Sequence, residues 1–175
     1  FELFPSFHNN TWQGGTKLPD STLNWASLNR DGGHPGNSRE LCTVLRWTAG
    51  RPGIAALNVR LTHHSDQGNG VSLTLFHNDT AVLPPRTIWN SRQTLRLGDL
   101  SVAPGDTVNC VVFCGEHSSH DSFGCEFEIK EVNDRSSRLW NSVNDFSSQS
   151  EPWVTDAWTQ LAQVLMLTNE FVFVD

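Results

Sequence analysis

The chain has 175 residues, a formal net charge of -7 and 37% hydrophobic residues. That length supports one domain with its own core. The acidic balance argues against a nucleic-acid partner, which needs a basic face, and disfavours an anionic membrane surface. No apolar run approaches the ~20 residues of a spanning helix, so no membrane span is expected.

In chain order, residues 14–36 come first as a distinctive stretch, GGTKLPDSTLNWASLNRDGGHPG. Glycine, proline and short polar side chains dominate it, so a central strand or core helix is excluded. It is expected to form an ordered lid or edge wrap, and secondarily a ligand lip carrying Trp25 and His34. Residues 41–48 alternate in polarity, 54–62 are apolar with polar interruptions, and 71–77 put Val71, Leu73, Leu75 and His77 on one side. Residues 86–97 hold one or two strands. Pro104-Gly105-Asp106 is a turn, and 107–114 are strongly β-branched. Phe123, Cys125, Phe127 and Ile129 alternate on one face of a further strand. Short strands at near-regular spacing predict a mainly β fold, an antiparallel, jelly-roll-like β-sandwich.

The end changes character. Residues 134–152 are polar and read as a linker. Residues 153–175 read as an amphipathic C-terminal helix and tail, with Trp158, Leu161, Ala162, Leu165 and Met166 forming an apolar stripe. The expected division is therefore a sandwich module over 1–133, the linker, and the helix, whose stripe can serve other domains or subunits.

Three groups of residues can carry chemistry. Indoles stack on the apolar C–H faces of sugars while nearby polar groups bond the hydroxyls. On that argument the ligand-binding candidates are Trp12, Trp25, His34, Trp47 and Trp89. His63, His64 and Asp66, then His117, His120 and Asp121, each follow an expected strand and can meet at one end of a sandwich. Imidazoles with a carboxylate bind transition metals. Ser65–Gly70, with Asp66 and Asn69, suits a hard cation such as calcium, or a plain turn. The metal candidates are Asp66, Asn69, His63, His120 and Asp121. Two sequons, starting at Asn9 and Asn78, matter only in a glycosylating host.

The four cysteines allow three pairings. Cys114 with Cys125 across a hairpin, and Cys42 with Cys110, is the expected set, with buried free thiols as the alternative. There is no haem-attachment motif. There is also no nucleophile elbow, HExxH or P-loop.

The segments WQGG…LPD at 12–20, LNRDGGHPG at 28–36, Arg46-Trp47, GNGV at 68–71, PGD at 104–106 and DSF at 121–123 carry a resemblance, and so does the ending WTQLAQVLMLTNEFVFVD. Together they resemble the C-terminal β-rich module and terminal helix of large, exported planctomycete proteins that also contain cytochrome-c-like segments. The resemblance implies a piece of a multidomain protein, periplasmic or extracellular, from a polysaccharide-handling or electron-transfer system. It implies a carbohydrate-binding sandwich whose partner is a polysaccharide. Any electron transfer would belong to other domains, and Cys42, Cys110 and Cys125 stand outside the pattern.

Three readings of function result. The first is a non-catalytic polysaccharide-binding module. The second is a structural or protein-interaction module in a larger assembly. The third is a metal-dependent hydrolase using loop carboxylates.

Overall fold

The computed structural model describes residues 3–132 and 137–146. Two antiparallel sheets face each other. The larger has the order β1(Ser6–His8), β2(Thr11–Gln13), β3(Ser27–Asn29), β4(Gly32–His34), β11(Phe123–Val132), β6(Gly53–His63) and β9(Ser91–Val102), with β12(Ser137–Asn141) also paired to β11. The smaller has the order β5(Thr43–Thr48), β10(Thr107–Cys114), β7(Val71–His77) and β8(Thr80–Ile88). The expected β-sandwich is present. The expected C-terminal helix lies outside the described residues.

Alternation builds the core. Leu57, Val59 and Leu61 of β6 and Phe123, Cys125, Phe127 and Ile129 of β11 point inward, against Val71, Leu73 and Leu75 of β7 and Val108, Cys110 and Val112 of β10. Each large apolar side chain so buried contributes about 1.5–3 kcal/mol. The two strands expected at 71–77 and 107–114 have those bounds. The stretch expected as one or two strands from residue 86 is the end of β8 followed by twelve-residue β9. The stretch expected as a linker carries β12, which pairs Trp140 with Ile129.

One edge of β11 is shared by two short partners. β4 meets it at Phe123 and Gly124, and β12 meets it from Glu128 to Val132. Between them the Asp31 carbonyl accepts the Cys125 N–H at 2.9 Å, and Ser142 Oγ accepts the Phe127 N–H at 2.9 Å. The backbone donors of a central strand are thus satisfied by loops where no strand runs.

Residues 14–36 do wrap the edge of the large sheet, but through ordered strands. Asp20 Oδ1 accepts the N–H groups of Thr22 and Leu23, both at 2.7 Å, closing a turn with Asn24 at positive φ. Gly32, with φ 155°, passes against the Phe123 carbonyl, where no side chain fits. β8 is the outer strand of the small sheet and carries Pro84-Pro85 at a shift of its register with β7.

All four cysteines are free thiols, and neither expected bridge is formed. Cys110 lies in the small sheet and turns its thiol toward Cys125 of the large sheet, so the cysteine facing Cys125 is not Cys114. Cys42 precedes β5 in a half-buried position.

Candidate functional site

Strand register gathers four loops at one end of the sandwich. β6 ends at His63, opposite Ser91 of β9 and Phe123 of β11, and Phe123 also faces Gly33 of β4. β7 begins at Val71, opposite Cys114 and Ile88. The β4–β5, β6–β7, β8–β9 and β10–β11 connections therefore meet there. The two histidine clusters expected at one end of a sandwich do share it.

His63 is the post beneath these loops. It is 1% exposed. Its Nδ1 accepts the Asn90 N–H at 3.1 Å, so Nε2 carries the proton and donates to the His120 carbonyl at 2.8 Å. One imidazole thus ties the β8–β9 turn to the β10–β11 loop. Both ring nitrogens are taken, which removes His63 from the expected metal ligands. Among the described residues, no three His, Cys, Asp or Glu side chains converge as a metal cluster.

Asp121 is fully buried beside His63, with Oδ1 3.8 Å from Nε2, and neither carboxylate oxygen has a hydrogen-bond partner. Burial raises its pKa to about 6, against the opposing pull of His63, His117, the Gly115 amide and His120. Asn69, another expected metal ligand, is occupied by loop closure. Its amide donates to the His117 carbonyl at 3.2 Å and accepts the Glu116 N–H at 2.6 Å. Asp66 and His120 are exposed loop residues. Gly68 and Gly70, at φ 80° and 81°, let this loop lie against the carbonyls of Ser119 and Ile88. Arg39 stacks over Phe113 at 4.7 Å and anchors the β4–β5 loop to β10.

On this braced end stand two exposed indoles. Trp25 is 44% exposed and Trp89 is 50% exposed. Trp25 lies 6.2 Å from the ring of half-buried His34. His34 Nδ1 donates to the Pro35 carbonyl at 2.5 Å. Burial lowers the His34 pKa, while main-chain groups of Pro35 and Ser118 oppose the shift, so the ring is neutral near pH 7. Trp89 sits directly after β8, over Gly70.

The other two expected ligand tryptophans lie elsewhere. Trp47 is 6% exposed and belongs to the core, so it is not a ligand residue: its position in β5 turns it inward against the large sheet. Trp12 is half-buried, with its ring 5.1 Å from Phe7. It lines a groove of about 240 Å³ on the side of the sandwich, with Leu45, Arg46, Trp140 and Phe146. Sequence reading did not single out Trp140, because it falls in a polar, serine-rich stretch. Nor did it single out Asn90 or Ser118, which act through their main chains.

No family model matches the chain, and no curated protein matches it. Among solved structures, a Podospora anserina GH26–CBM35 β-(1,4)-mannanase is similar with a TM-score of 0.38 at 8% identity, over 78% of this chain and 28% of that one. A ruminal GH26 endo-β-1,4-mannanase gives 0.34 at 11% identity, over 71% of this chain and 24% of that one. The chain thus spans about a quarter of either. Neither likeness reaches the level at which a fold or a ligand transfers from one chain to another.

Proposed function

We propose that the chain is a non-catalytic polysaccharide-binding module of an exported multidomain protein, and that the four-loop end is its binding surface. The observation that carries this reading is the pair of half-exposed indoles at the loop end, Trp25 against His34 and Trp89 in the turn that His63 braces through Asn90. Aromatic surface held rigid before binding loses little entropy when a ligand arrives. Each indole offers a flat apolar face to a sugar ring, and neutral His34 beside Trp25 offers a polar edge to a hydroxyl. The net charge of -7 suits a neutral glycan better than an anionic one.

Electrophoresis through gels containing neutral or sulfated glycans, with and without calcium, tests this. The expected result is retardation by at least one neutral glycan, abolished in a Trp25→Ala/Trp89→Ala variant. Unretarded migration in every gel refutes it.

A second reading, a structural or protein-interaction module, is favoured by the apolar groove of Phe4, Trp12, Leu45, Trp140 and Phe146. Under that reading, Trp12→Ala and not Trp25→Ala weakens association with the rest of the multidomain protein.

A further inference from the structure

We propose that Cys110 and Cys125 are joined in a disulfide linking the two sheets when the chain folds in an oxidising compartment. The inference is independent of what the loop end binds.

Cys110 is central in β10, flanked in the small sheet by Leu45 of β5 and Leu75 of β7. Cys125 is the third residue of β11, opposite Leu61 in the middle of the large sheet. Alternation directs both side chains into the space between the sheets, where Cys110 is 0% and Cys125 3% exposed. Both belong to the one buried core cluster, and Cys125 is the group whose thiol acts on that of Cys110. Cys114, at the end of β10, has Asp121 and Glu40 as its charged neighbours, and Cys42, before β5, has Glu40; neither is acted on by Cys110 or Cys125.

The chemistry is thiol–disulfide exchange with an oxidised dithiol catalyst or a low-molecular-weight disulfide. One cysteine thiolate attacks a sulfur of the donor disulfide, giving a mixed disulfide. The second thiolate then displaces the donor thiol and closes the Cys110–Cys125 bond. The two thiols lose two protons and two electrons, and the donor is reduced to two thiols. The hydrogen bond with Cys125, then burial, hold the Cys110 pKa well above the ordinary thiol range. Only the thiolate is a nucleophile, so the closed core resists the exchange. The bond forms before the sheets close over it.

The test is a thiol map of the 175-residue chain exported to a bacterial periplasm. The protein is denatured in an alkylating agent without reductant and cleaved after glutamate. Cleavage after Glu116 separates Cys110 and Cys114 from Cys125, and a second digestion after arginine cuts at Arg46 and separates Cys42 from Cys110. The expected product is a linked peptide pair, two hydrogens lighter than its reduced parts, with Cys42 alkylated. The same link persists in a Cys114→Ala variant. Four alkylated cysteines, or a link through Cys42 or Cys114, overturns the proposal. Melting supplies a second readout. A bridge closing a loop of about fifteen residues raises the melting temperature by roughly 5–10 °C over the reduced chain. In Cys125→Ala, reductant leaves the melting temperature unchanged; a fall there as large as in the parent chain also overturns it.

Discussion

Asp121 lies 3.8 Å from His63, and both side chains are sealed from solvent. The imidazole gives its one proton to the His120 carbonyl, so the carboxylate beside it gains no hydrogen bond. A buried carboxylate without a partner favours its protonated form, and burial accordingly lifts Asp121 to about 6 from an ordinary 3.8. Between those values the folded chain holds a proton that the unfolded chain has released. Stability therefore falls as pH rises from about 4 to about 6, and the loss is complete above that. Asp121→Asn removes the ionisation. It is expected to match the parent chain below pH 4 and to exceed it by roughly 1–3 kcal/mol at pH 7. Urea titrations at both pH values check this. A gap that does not change with pH would show that Asp121 is not the group responsible.

His63→Ala removes a buried ring and strands two main-chain groups, the Asn90 N–H and the His120 carbonyl. The expected cost is roughly 2–4 kcal/mol. Glycan binding should weaken as well, because the loops holding Trp89 and His120 lose their shared tie. Hydrogen exchange localises the effect. Faster exchange at Asn90, with β10 unchanged, is the expected pattern, whereas uniform acceleration means that His63 is only a core residue.

The tryptophans divide by burial. Trp25→Ala and Trp89→Ala are exposed changes and should alter stability by no more than about 0.5 kcal/mol while reducing retardation by glycan. Trp47→Ala should cost roughly 3–5 kcal/mol through the cavity it leaves. Calorimetry beside gel retardation separates the two classes. His34→Ala belongs with the first if His34 touches ligand, and a large fall in its melting temperature places it with the second.

Gly32 sits where an added methyl would meet the Phe123 carbonyl and the Gly124 main chain. Gly32→Ala must therefore push β4 away from β11, at roughly 2–3 kcal/mol. The Cys125 amide, bonded to the Asp31 carbonyl beside it, should exchange faster. Unchanged exchange at Cys125 would mean that the edge yields without moving β4.

The strands at 71–77 and 107–114 were legible because a run of β-branched and apolar residues between turns has few other uses. The strands β1 to β4 were not. Each is three residues long, too short for a period to register, and their pairing depends on Asp20, Asn24 and the glycines rather than on apolar side chains. At the loop end, the histidine clusters were legible as a gathering, but their chemistry was not. His63 and Asp121 differ from exposed His117 and His120 only in burial, which depends on which loops cover them. Likewise Trp47 and Trp89 look alike as letters, and the facing of a strand decides between core and surface.

Pro84-Pro85 in the outer strand β8 has a consequence for assembly. Neither residue has an N–H to offer, so the middle of that edge cannot template a strand from another copy of the chain. A protein carrying this module at high local concentration is thereby protected from edge-to-edge polymerisation on that side. Replacing the pair with valines would open a continuous edge of nine residues to a neighbour.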